Sequence, residues 1–287
     1  MNRRPLLIGL AIALCTAVAL FVVFRAASPE DRAPLFVTPP TASGLPIVGD
    51  PAFPDASTTG VPAGTEVTRS GSIDVERSGT VIDGLDIEGC VDVKADDVII
   101  RRSRITCSRP TTAVRLFDGY HNLTLEDVEI DGSGVVSAAV GFSDYTLVRV
   151  NIHDVIDGPR MGDNTTIRDS YIHDLARRGG SHNDAVQISG GSNIQILHNT
   201  LDVYDAITGG LFNAAIMVGT RSASVEDMLI EGNYLDGGNY TVNFRADLTA
   251  QNVVARDNVF GPHHRYGFLA RGHQPGIDWL NWPGPPE

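Results

Sequence analysis

The sequence predicts an all-β fold, a single right-handed parallel β-helix of about eight coils displayed outside the cytoplasmic membrane. Three observations predict it. One apolar signature recurs eight times between Thr80 and Phe260, no amphipathic helix interrupts the recurrences, and a second set of short apolar runs falls between them.

The signature places a first apolar anchor at Ile82, Ile100, Leu125, Leu147, Ile167, Ile196, Ile230 and, more weakly, Ala255. Five residues after each stands a second: Ile87, Ile105, Ile130, Ile152, Ile172, Leu201, Leu235 and Phe260. Every second anchor is large and apolar, so each coil has an inner side to bury against its neighbours. Three residues after the first anchor come Leu85, Ser103, Val128, Val150, Ser170, Asn199, Asn233 and Asn258, a column that ends in asparagines able to bond along a ladder inside a turn. Short strands at Ala113–Phe117, Ala138–Phe142, Ala185–Ile188, Ala214–Val218 and Tyr240–Phe244 complete the coils. A β-sandwich also has many short strands, but it does not normally repeat one six-residue signature in register.

Residues 1–25 read as an export segment. Arg3 and Arg4 precede an apolar run from Pro5 to Phe24, and its 20 residues span roughly 30 Å as a helix. Two readings stay open, a cleaved signal peptide and a retained signal anchor, and both send the following chain outward. Cys15 reads as an ordinary apolar residue, because Leu14 stands where a lipidation signal needs a small one. Residues 26–70 are rich in Pro, Ser and Thr and read as a stalk, with Phe53–Val67 folding back as a cap on the open end. Residues 71–270 form the solenoid, and the Pro-rich tail 271–287 drapes over its far end.

Composition narrows the function. Thirty-five acidic against 22 basic side chains leave a formal charge of -13, which opposes binding to phosphate backbones and argues against nucleic acid. After the export segment only Cys90 and Cys107 remain, and in an oxidising compartment an even pair suggests a disulfide, with two buried thiols as the alternative.

Phrases such as Thr80-Val81-Ile82-Asp83-Gly84-Leu85-Asp86-Ile87 and Ile194-Gln195-Ile196-Leu197-His198-Asn199-Thr200-Leu201 resemble the parallel β-helix repeats of the pectate-lyase-like superfamily. The segment Thr59–Thr65 with the first repeat is similar to exported actinobacterial β-helix proteins. The resemblance implies an activity among polysaccharide lyases, glycoside hydrolases, uronan epimerases or surface adhesins, and fold alone does not choose between them.

Spacing says where to look. Successive first anchors are separated by 18, 25, 22, 20, 29, 34 and 25 residues, and the two longest intervals are adjacent. Extra residues in a solenoid go into loops, here Ala176–Asn183 and Val203–Asn213, which would wall a groove. Between them, His182-Asn183-Asp184-Ala185-Val186-Gln187-Ile188 concentrates reactive side chains, and strand alternation turns Gln187 outward. The position six after each first anchor forms a second column, Glu88, Thr106, Asp131, His153, His173, Asp202, Asp236 and Gly261, with Asp154 and Asp174 following its histidines. It reads either as a solvated polar ladder or as part of a site.

A lyase acting on a uronic-acid polymer must neutralise the carboxylate beside the carbon it deprotonates, and needs a base to take that proton. The expected catalytic residues are His182 as base, Asp184 to orient it, and Arg160. Gln187, His153, His173, Asn243 and Arg245 are expected to bind substrate, and Asp174 and Asp184 to hold a possible Ca²⁺. A hydrolase would instead pair Asp184 with Asp174 or Asp205. A non-catalytic reading makes the chain a monomeric surface protein gripping a polysaccharide or cell-surface glycan, with aromatic side chains such as Tyr204, Tyr240 and Tyr266. Either way it is secreted, or anchored to the outer side of the membrane through its N-terminal segment alone.

Overall fold

The computed structural model describes residues 53–219, 224–246, 248–270 and 276–280. The expected export segment, the expected stalk up to residue 52 and residues 281–287 lie outside them. Among the described residues no helix is long and apolar enough to cross a membrane.

Regular structure among these residues is all strand, and nearly all of it pairs in parallel. One nine-stranded sheet runs from Val81–Asp83 through Ile99–Arg101, Leu123–Glu126, Tyr145–Val148, Thr165–Arg168, Gly191–Leu197, Val225–Glu231 and Ala250–Arg256 to Ile277–Leu280. All eight first anchors stand opposite one another in it, in one unbroken register. The second anchors stack in the same way within the larger sheet. Both columns point inward and, Phe260 apart, are buried. Each Ile or Leu so enclosed contributes about 2 kcal/mol.

The larger sheet holds two runs of strands, joined because Leu85–Val93 and Glu129–Phe142 are long enough to belong to both. Its second run continues through Thr112–Leu116, Arg160–Met161, Asp184–Ile188, Ala214–Val218, Tyr240–Phe244 and Gly267–Ala270. The chain therefore passes through three strand positions and returns to the first one coil later. Between the first two positions lies the polar column. Asn199 Nδ2 donates to Asn233 Oδ1 at 2.9 Å and Asn233 Nδ2 to Asn258 Oδ1 at 2.9 Å, while each of these oxygens also accepts the backbone N–H of the preceding rung. Every Nδ2 spends its other hydrogen on a first-anchor carbonyl, of Ile167, Ile196 or Ile230. The ladder is buried and satisfied.

Two terminal segments lie elsewhere than composition suggests. The residues from Phe53 to Gly60 run along the flank of the stack. Thr200 Oγ1 donates to Pro54 O at 2.6 Å, Gly60 N donates to Arg149 O at 2.9 Å, and the Phe53 ring lies 5.6 Å from that of Tyr234. Gly60 is required there, since it has φ +74° and any side chain would press on Asn151. Within the tail, Ile277–Leu280 does more than drape. It adds the last strand of the nine-stranded sheet, because alternation sends Ile277 and Trp279 inward, where Trp279 meets Phe244 edge-on at 5.2 Å.

Cys90 and Cys107 form a disulfide between adjacent coils, with Cα atoms 4.9 Å apart and 17 residues of separation. Replacing both with serine is expected to lower stability by about 3 kcal/mol, the loop-closure entropy returned to the unfolded chain. Urea titration of the variant and of reduced wild type should show the same shift, and unchanged midpoints would contradict it.

Candidate functional site

The larger sheet's second run sets the site. Arg160 stands opposite Gln187, Gln187 opposite Met217, and Met217 opposite Asn243, one outward column on four successive coils. Extending the first register back by three residues brings Asp157 opposite Asp184. The coils close tightly there because residue 158 is glycine, where a Cβ would collide with the Ala185 carbonyl. Above this floor lies a cavity of about 690 Å³ lined by Arg160, His182, Asp184, Gln187 and Arg245, five residues singled out from sequence, together with Asp157, Asn213, Phe142 and Met217.

Asp157 and Asp184 are 3% and 1% exposed. Burial, and secondarily the charge of Asp157, pushes Asp184 up to about 8, against hydrogen bonds from Asn213 Nδ2 at 2.7 Å and Gln187 Nε2 at 3.2 Å. Burial raises Asp157 too, but Arg160 opposes it with an ion pair of 2.9 Å. Two close carboxylates in a dry wall do not both ionise readily. With the Arg160 guanidinium on Asp157, the pair keeps its charge there and its proton on Asp184 at neutral pH. Arg160 retains one buried donor, Nε, with no hydrogen-bond partner among the described residues.

The long loops build the walls. Asn183 pins the loop 176–183 by donating to Ile156 O at 2.8 Å, beside Asp157, and to Ala176 O at 2.7 Å. This leaves the neighbouring His182 exposed on the rim, where its ring favours ionised Asp157 whenever it carries a proton. Arg177 ties the two loops together, donating to Leu211 O at 2.8 Å and lying 4.8 Å over the Phe212 ring. Asn213 N then donates to Asn183 O at 2.9 Å, which sets the Asn213 amide against Asp184. The aliphatic stem of Arg245 crosses Gly219, where a Cβ would strike it.

His153, His173 and Asp174 do not line this cavity. They form a separate band on the preceding run of strands, with the two rings 5.5 Å apart. His153 is raised to about 9, chiefly by Glu129, and bonds Asp154 at 2.8 Å. His173 is lowered by burial although Asp174 bonds it at 2.6 Å; its other nitrogen meets Asn151 at 2.9 Å, and its ring stacks on Tyr171 at 3.9 Å. Asn243 shares the outward column of Gln187 without lining the cavity. Asp174 and Asp184 thus belong to different places. A third acid, Asp205, turns its carboxylate back on its own loop at Thr208. For a cation such as Ca²⁺, which takes several oxygens, the carboxylates lining the cavity are those of Asp157, Asp163 and Asp184. Asp131, His153 and Asp154 also gather within 4.8 Å of one another in the band.

Asp157 escaped the sequence reading, although it precedes Arg160 by the same three residues that separate Asp184 from Gln187. No protein-family model matches this chain, and comparison with curated proteins and with solved structures found no match either.

Proposed function

We propose that this chain is an exported carbohydrate-active protein that cleaves an acidic polysaccharide by β-elimination in the cavity around Arg160. In the same reading, the stack is a right-handed β-helix of the pectate-lyase-like kind. The observation that carries the proposal is the grouping of a cation with an unpartnered buried donor, Arg160, an acid holding its proton, Asp184, and an exposed imidazole, His182, around one cavity.

The chemistry divides among these residues. Arg160 and Arg245 neutralise the sugar carboxylate, which acidifies the adjacent carbon. His182 takes the proton from that carbon, the freed electron pair forms the double bond, and the glycosidic C–O bond breaks. Asp184 gives its proton to the leaving oxygen. Asp157 stays ionised, holding Arg160 in place and keeping the proton on Asp184. Arginine supplies a local positive field in a protein that is acidic as a whole. A bound Ca²⁺ would serve the same neutralising purpose; Asp157 and an ionised Asp184 would hold it, and Asp184 would then not be the proton donor.

A second reading, glycoside hydrolysis, is favoured by the Asp157–Asp184 pair itself. Parallel strands on adjacent coils lie about 4.8 Å apart, near the carboxylate separation of retaining enzymes. Incubating the full chain with polygalacturonate, alginate and neutral xylan separates the readings. Elimination produces the ultraviolet absorbance of a new double bond, which His182→Ala should abolish. Hydrolysis produces reducing ends without that absorbance. Glycan binding with neither product would leave a non-catalytic surface protein and end the lyase proposal.

A further inference from the structure

Phe142 breaks the pattern of its own column. It stands opposite Met161, which continues through Ile188 and Val218 to Phe244. Those four side chains are buried, whereas Phe142 is 42% exposed and faces the cavity. The inside of that coil is already taken. Tyr145 is fully buried, and its hydroxyl donates to Arg160 O at 2.9 Å, on the residue that stands opposite Gly141. Its ring therefore reaches the interior beside Gly141 that a neighbouring phenylalanine would fill.

A single exposed apolar residue usually requires no explanation. This one departs from a core column, and it does so where the cavity has its other apolar surface. Met217 lies in the outward column two coils beyond Arg160, so Phe142 and Met217 bracket the polar stretch of Arg160 and Gln187. From the coil of Phe142 to that of Met217 is about 14 Å at ordinary strand spacing. A pyranose presents a ring of C–H groups on one face and hydroxyl or carboxylate oxygens at its edge. An aromatic face beside an unpartnered guanidinium donor complements both parts.

We propose that Phe142 is the stacking platform of a sugar subsite, holding the C–H face of a pyranose while the edge oxygens of the same or the next unit meet Arg160 Nε. This rests on the glycan-cleaving reading and adds a direction to it: the bound chain runs across the coils, from the Phe142 coil towards that of Met217.

The test is calorimetric titration of the full chain with oligogalacturonides, oligoalginates and xylo-oligosaccharides, using wild type, Phe142→Ala, Phe142→Trp and Arg160→Ala. Loss of an aromatic anchor should weaken binding about tenfold in Phe142→Ala, with affinity kept in Phe142→Trp. The new indole in Phe142→Trp should also shift its emission when the probe is added. Unchanged melting temperatures would show that both variants fold, as expected for a half-exposed position. If Phe142→Ala binds within about twofold of wild type while Arg160→Ala loses binding, the platform is refuted and the glycan site stands. An indole emission unmoved by a saturating probe refutes the platform as well. Wild type binding none of the probes would overturn both proposals together.

Discussion

Asp184→Asn is expected to abolish glycan cleavage and, in the same molecule, to raise stability at pH 8 to 9. Loss of the proton donor should cost about 10²- to 10⁴-fold in rate. The stability effect follows from the direction of its titration. Burial raises Asp184 in the folded protein to about 8, against 3.8 for an ordinary aspartate. Between those values the native state holds a proton that the unfolded chain has released, so stability falls as pH rises from 4 to 8. Asparagine has no charge to bury. It can still accept from Asn213, and a reversed Gln187 amide can accept from it in turn. Wild type should therefore lose melting temperature from pH 5 to 9 and the variant much less, with the two curves crossing. Parallel curves would mean that Asp184 is not where the pair keeps its proton. Because the two carboxylates interact, the midpoint of the fall belongs to the pair as a unit. An acid whose ionisation weakens the fold is the kind of group retained for function at the expense of stability.

Asn233→Leu should give the largest purely structural loss, about 4 kcal/mol. Leucine has nearly the same shape, so packing is kept while the hydrogen bonds vanish. The Asn199 backbone and amide lose their shared acceptor, and the Ile196 carbonyl and Asn258 oxygen each lose a donor. Buried polar groups left unpaired cost about 1 to 3 kcal/mol each, although relaxation keeps the total below their sum. Gln195→Ala, outward on the preceding coil, should stay within about 0.5 kcal/mol. A urea midpoint for Asn233→Leu equal to that of Gln195→Ala would show that the ladder is ornamental.

The stack was legible in the sequence because its rule is local and repeated. From Ile82 to Leu235, each coil carries an Ile or Leu at two positions five residues apart, and hydrogen bonding between neighbouring coils makes that spacing a spatial column. The polar column was legible for the same reason, since Asn199, Asn233 and Asn258 repeat at one offset. The cavity was only half legible. Arg160, His182, Asp184, Gln187 and Arg245 stood out by residue type and by the long intervals around them. Asp157 did not, because the loop 176–183 separates Asp184 from its second anchor while Asp157 follows Ile152 with no loop between. Counting from the anchors hides the match that counting from Arg160 and Gln187 reveals. Phe142 was hidden for the opposite reason: alternation places it inside, whereas the structure turns it out to the cavity past the buried ring of Tyr145. The band of His153 and His173 has the composition of a site, but the coil carries it to a different run of strands.

The strap from Phe53 to Gly60 changes how such a molecule comes apart. A pile of coils in which each touches only its neighbours can fray from either end, one layer at a time. Here the bond between Pro54 and Thr200 joins residues 146 apart in sequence. The segment cannot seat until the coils of Arg149, Thr200 and Tyr234 exist, so residues early in the chain wait for later ones and then clamp several layers at once. That long-range closure slows assembly, and in return it makes the layers beneath it melt together.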